Sequence, residues 1–192
     1  MADAFAHHVW ASVRLIDACL ELSPEQLGTA VPGTYGSILQ THRHLAGSDA
    51  WELFVATGDR GALFKPDEMS LLELRAAMEG HGTAWSRIVA EAPDPDTLVE
   101  EVDDEDGYKR RSPIGVLLAG VLQHGTEHRS QICTALTAFS IIPPHISVVD
   151  YGLESGRVAE LYPGADETAT QKYERFNLPD EGVGARILHS VR

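Results

Sequence analysis

The chain has 192 residues, which argues for one domain with a short extension and a core large enough to fold without disulfides. Its 15 Lys+Arg against 29 Asp+Glu leave a formal net charge of -14, the wrong sign for binding a phosphate backbone or an anionic membrane surface. A divalent cation or a small-molecule substrate stays compatible with that charge.

The N-terminal pattern Val9, Val13, Ile16 and Leu20 has helical spacing and predicts a first helix over about 4–22, ended by Ser23-Pro24. Cys19 lies in this pattern and Cys133 in a later one. With no CxxC, both read as small buried hydrophobes of a reducing compartment. No basic segment leads into an apolar one near Met1, and no apolar run is long enough to span a bilayer, so a cytoplasmic location is expected. Pro32-Gly33-Thr34-Tyr35-Gly36-Ser37 is loop chemistry, with Ser37 placed to cap the next helix. That second helix, over 37–57, carries Ile38, Thr41, His44, Leu45, Ser48, Trp51 and Val55, and Gly58 closes it. Ser70 with Glu73 forms a capping box for a third helix bearing Leu71, Leu74, Met78, Trp85, Ile88 and Val89, and Pro93 and Pro95 stop it. Asp106-Gly107 between two short runs predicts a small hairpin. The acidic run before Gly107 does not fit a calcium loop, because Pro113 falls where the last ligand is needed. A fourth helix is expected from about Ser112 to Phe139, with Pro113 in its first turn and Pro143-Pro144 after its end. The remainder reads as irregular, with one short helix. Four long helices without βαβ alternation predict an all-α four-helix bundle with a hairpin insertion and an irregular C-terminal segment. The domain is expected over 1–155 and the extension over 156–192.

The fourth helix holds the most telling pattern, Gln123-His124-Gly125-Thr126-Glu127-His128-Arg129. His124 and His128 lie one turn apart on the face that also carries Leu117, Val121, Ile132 and Ala135, so both rings point inward. Burying two imidazoles without partners costs about 1–3 kcal/mol each. A divalent cation satisfies both at once, and an i, i+4 pair reaches one ion. A third ligand must come from another element. On the second helix His42 and His44 are both candidates, roughly 200° apart by helical count, and His7, His8 and His81 remain in reserve. Three protein ligands leave a position open for water or substrate, the catalytic pattern.

Ser37-Ile38-x5-His44-x4-Asp49-x-Trp51 and His124-x3-His128-Arg129-x-Gln131-Ile132 resemble the DinB/YfiT-like metalloenzyme superfamily. Trp10, Leu22-Ser23-Pro24-Glu25 and Asp150-Tyr151 fit the same resemblance, which spans about residues 4–155. It implies a four-helix bundle holding a metal, zinc or nickel before others, on His44, His124 and His128, and it favours His44 over His42. The chain departs from the family pattern at His42, where an apolar residue is usual. The resemblance implies a metal site more firmly than a reaction: members include thiol S-transferases and isomerases that use low-molecular-weight thiols. A metal-dependent transferase or hydrolase acting on a small molecule is therefore expected, with a metal-bound thiol or water as nucleophile. Asp49, one turn below His44, is a candidate base or ligand-orienting group, and Arg129 a candidate carboxylate anchor. His124-x2-Glu127-His128 also matches the inverted zinc-peptidase motif, with Glu127 as base and Glu154 or Glu160 as the third ligand. A metal-binding stress protein without catalysis is the other alternative. A homodimer is compatible with all three.

Overall fold

Three serines start three helices. The structure, a computed structural model, describes residues 1–102 and 107–160. After α1 (Ala2–Cys19), Ser23 opens the short α2 (Pro24–Gly28), Ser37 opens α3 (Ile38–Thr57) and Ser70 opens α4 (Leu71–Ala90). In each case the serine hydroxyl accepts the backbone N–H three residues on. The side chain there, Gln26, Gln40 or Glu73, accepts the serine's own N–H in return. Each such cap satisfies two donors that would otherwise face water, and is worth about 1 kcal/mol. At the far end of α3, Gly58 adopts φ 73°, a left-handed conformation that lets its N–H reach the Phe54 carbonyl.

Two boundaries differ from expectation. Ser23-Pro24 does not merely end the first helix. The Ser23–Gln26 reciprocal cap makes it the start of α2, while α1 stops at Cys19. The fourth long helix, α5 (Ile114–Ala138), begins after Pro113, not around it. The residues ahead of it are committed to pairing: β1 (Leu98–Val102) lies antiparallel to β2 (Lys109–Pro113), with Leu98 opposite Pro113 and Val102 opposite Lys109. The hairpin was expected at Asp106-Gly107. Gly107 has φ 74°, and residues 103–106 lie outside the described residues.

Contacts divide the chain into two units, Met1–Val148 and Val149–Arg192. In the second, the described residues run to 160. They comprise the body of α6 (Val148–Glu154) and a turn in which the Val158 N–H donates to the Gly152 carbonyl. The irregular extension expected from 156 onward lies largely outside the described residues.

The first unit is a four-helix bundle. α1 packs on α4 and α5, and α3 packs on the same two, so α1 and α3 lie diagonally opposed. The fold is thus all-α apart from the hairpin. Its core has two apolar ends. One gathers Leu15, Ile16, Leu74, Met78, Ile132 and Leu136, and the other Phe5, Leu53, Trp85, Leu117 and Val121. Each fully buried side chain of this kind contributes about 1.5–3 kcal/mol. Between the ends, every long helix supplies a buried polar residue: His8 from α1, Asp49 from α3, His81 from α4 and Arg129 from α5. Gly125 makes room for this layer, since a Cβ there would overlap the His8 ring and crowd Arg129 Nη1. Among the described residues, no helix is long and apolar enough to cross a membrane.

Candidate metal centre

The packing of α3 on α5 brings His44, His124 and His128 together, and one ring nitrogen from each lies within 4.8 Å of the others. His44 Nε2 and His124 Nε2 are 3.0 Å apart. Ring centroids are separated by 5.0 Å for His44–His124, 4.7 Å for His44–His128 and 4.4 Å for His124–His128. Two imidazole nitrogens sharing an ion at about 2.1 Å are separated by roughly 3.0–3.4 Å, so the observed spacing fits a common cation. His128 is 7% exposed, whereas His44 and His124 are half-buried, so the cluster opens on one side.

The tautomer of His128 follows from its neighbours. The Gln131 Oε1 accepts the Tyr35 backbone N–H at 3.0 Å and lies 3.0 Å from His128 Nδ1. An amide oxygen cannot donate, so His128 carries its proton on Nδ1 and presents the Nε2 lone pair to the cluster. Tyr35 completes the wall. Its ring stacks on His44 at 4.1 Å and 16°, and meets His128 edge-on at 5.3 Å. Protons compete weakly here. Burial, then the His128 and His44 rings, pushes His124 down to about 4, and burial with His128 lowers His44. At neutral pH these two rings are uncharged and hold free lone pairs, as metal ligands must.

The other residues singled out from the sequence fall elsewhere. His42 is 2% exposed, outside the cluster, and its Nε2 lacks a hydrogen-bond partner among the described residues. Burial pushes its ring down to about 3. Asp49 is also 2% exposed and is not among the groups within ligand reach. Its carboxylate accepts from His8 Nε2 at 3.0 and 3.2 Å and from Trp85 Nε1 at 3.3 Å, with His81 Nδ1 3.8 Å away. Burial alone would raise the Asp49 carboxyl, but the adjacent His8 outweighs it and holds the group well below the usual carboxylate range. Arg129 is 3% exposed, not a surface arginine. Its Nη1 donates to His8 Nδ1 at 2.9 Å and to Ser12 Oγ at 3.3 Å, and its Nη2 to Thr126 Oγ1 at 3.2 Å. A guanidinium only donates, so His8 Nδ1 faces Arg129 as the acceptor while its Nε2–H points to Asp49. Burial brings Arg129 down to about 10, which leaves it charged. Glu127 is exposed and its Oε1 accepts from Gln123 Nε2 at 2.6 Å. His7 Nε2 bonds the Ile146 carbonyl at 2.8 Å.

A cavity of about 630 Å³ opens beside the cluster, lined by Tyr35, His44, Trp51 and neighbouring side chains of α3. Two members of the site escaped the sequence reading as functional groups. Gln131, three residues after His128, stood in the motif, and its i, i+3 position offered the signal. Tyr35 sat in a loop with no periodicity to orient it.

Comparison with curated proteins returned no match. The family model described as DinB family matches residues 1–152, and the chain, with its bundle and three converging imidazoles, belongs to the DinB family.

Proposed function

We propose that His44, His124 and His128 hold one divalent cation, zinc or nickel, and that the chain is a metal-dependent transferase or hydrolase acting on a small molecule. The observation that supports this reading is the convergence of three ring nitrogens within 4.8 Å beside a cavity of substrate size. Bound there, the cation would supply Lewis acidity, lowering the pKa of a coordinated thiol or water towards neutrality. The chain's own groups set the stage. Gln131 fixes the His128 ring, and the lowered basicity of His124 and His44 keeps their lone pairs free. Tyr35 screens one side of the cluster, while the cavity admits a ligand along His44. The placement of Glu127 does not favour the peptidase reading: it is exposed and engaged with Gln123, and the third imidazole comes from α3.

Elemental analysis of the purified protein after incubation with zinc or nickel tests the site. About one equivalent is expected in the wild type and a large loss in both His44→Ala and His124→Ala. Unchanged metal content in both variants would overturn it. Transfer from a thiol to an electrophile, or hydrolysis, abolished by a chelator and restored by the metal, tests the activity. Full turnover after complete metal removal would contradict it.

A further inference from the structure

The cavity beside the cluster has a chemical polarity of its own. Gln40, His44, Ser48 and Trp51 recur at spacings of four, four and three along α3 and form its floor. Arg43 and Glu52 also line it, and by helical count they stand on opposite flanks of that floor. They are nine residues apart, about 13 Å along the axis, so they do not neutralise each other. Among the described residues neither has an ion-pair partner; burial and then the nearby Glu101 raise the Glu52 carboxyl, and Arg110 opposes them only in part. The Arg43 Nε and Nη2 both donate to the Met69 carbonyl, at 3.0 and 2.8 Å, which fixes the guanidinium plane and leaves three N–H groups free. No carboxylate pairs with Arg43 among the described residues. Glu52 is half-buried and makes no hydrogen bond or ion pair to a described residue. The nearest cation in that region, Arg110, is committed to Glu101, whose other oxygen accepts from Trp51 Nε1 at 2.8 Å. Asp67 also lines the cavity but is exposed, so the Arg43 guanidinium and the Glu52 carboxyl are its partly desolvated charged groups, and each favours a ligand of opposite charge.

The geometry points to an elongated amphoteric small molecule as the ligand of this cavity, its carboxylate on Arg43 beside His44 and its ammonium on Glu52 two turns further along α3. The assignment rests on the metal reading only for where chemistry would occur, because Arg43 and Glu52 are not among the three imidazoles. A simple α-amino acid is too short to reach both groups. The axial offset of about 13 Å, shortened where the two side chains lean over the floor, calls for charges separated by on the order of ten ångströms, with an apolar or amide stretch lying over Trp51.

A chain-length series of ω-amino acids reads that span directly. Binding of glycine, 4-aminobutyrate, 6-aminohexanoate and 8-aminooctanoate would be followed by ligand-observed NMR, with octanoate and octylamine as single-charge controls. Each is measured with and without one equivalent of zinc. Affinity is expected to rise with length, with 8-aminooctanoate at least tenfold above glycine and about tenfold above either control. Arg43→Met should erase its advantage over octylamine, and Glu52→Gln its advantage over octanoate. Asp67→Asn, on the exposed rim of the same cavity, should change neither. Equal binding of 8-aminooctanoate and both controls would overturn the assignment, as would an Asp67→Asn effect matching that of Glu52→Gln. Should Arg43→Met lose its fold with the Met69 contact, Arg43→Lys and Glu52→Gln still decide the matter: the lysine variant keeps a preference for the carboxylate. The same ordering in zinc-free protein separates failure of this assignment from failure of the metal site.

Discussion

Two histidine-bearing clusters lie side by side in this bundle and do opposite things with their rings. In the cluster of His44, His124 and His128, the imidazoles face one another and turn their acceptor nitrogens to a common point. In the layer of His8, Asp49, His81, Trp85 and Arg129, the carboxylate and the guanidinium are joined through the His8 ring, and among the described residues only His81 Nδ1, 3.8 Å from Asp49, lacks a hydrogen-bond partner. The first arrangement leaves lone pairs unspent and opens on a cavity. The second spends its polar groups on one another and is sealed. The contrast separates a candidate ligand site from an internal strut, although both are built of inward-facing histidine.

The comparison can be broken most severely at Asp49. Asp49→Ala strands the Arg129 charge in the core, and should cost about 3–5 kcal/mol of unfolding free energy, read by denaturant titration. A loss below about 1 kcal/mol would mean that the layer is solvated. Gly125→Ala forces a methyl group into the His8 ring and should cost about 1–3 kcal/mol by the same measure. His44→Ala should behave in the opposite way. The metal-free variant should stay within about 1 kcal/mol of wild type, while the stabilisation that saturating zinc confers, about 4 kcal/mol at a thousandfold excess over Kd, disappears. A sharper cut is Gln131→Leu, which removes the acceptor that orients His128. It should weaken metal binding about 10–100-fold in a competition titration and leave the fold intact.

The pH-dependent effect concerns His42, which is sealed like the second cluster but has no partner on Nε2 among the described residues. Its folded ring titrates near 3, below the ordinary 6.5. The unfolded chain therefore takes up a proton first as pH falls, and stability declines from about pH 6.5 towards 3. The slope per group is about 1.4 kcal/mol per pH unit. His44 and His124 contribute in the same direction, since their rings are lowered too. His42→Leu should flatten the decline by one proton's worth between pH 6 and 4. An unchanged slope would show that His42 is hydrated.

Much of this was legible in the sequence, for identifiable reasons. Ser37, Ser70 and Gly58 announce helix ends by local chemistry, which needs no tertiary knowledge. His124 and His128 declare themselves because a period of four on an apolar stripe fixes their direction. What stayed hidden depends on contacts between elements. Periodicity could not separate His42 from His44, because a rotation of the helix decides which ring is sealed and which meets α5. Asp49 read as a site residue because it lies one turn below His44, yet its partner His8 is forty-one positions away and carries no pairing signal. Arg129 read as a candidate carboxylate anchor because its partners His8 and Ser12, on α1, carry no pairing signal in the sequence. Only the gap at Gly125, filled by the His8 ring, explains how a guanidinium sits so deep.

X-ray absorption at the metal edge of zinc-loaded protein tests the central claim most directly. The expected shell contains three nitrogen neighbours at about 2.0–2.1 Å with the outer-shell scattering of imidazole rings, reduced to two rings in His44→Ala. A shell of oxygen alone, or a spectrum that His44→Ala leaves unaltered, would contradict it.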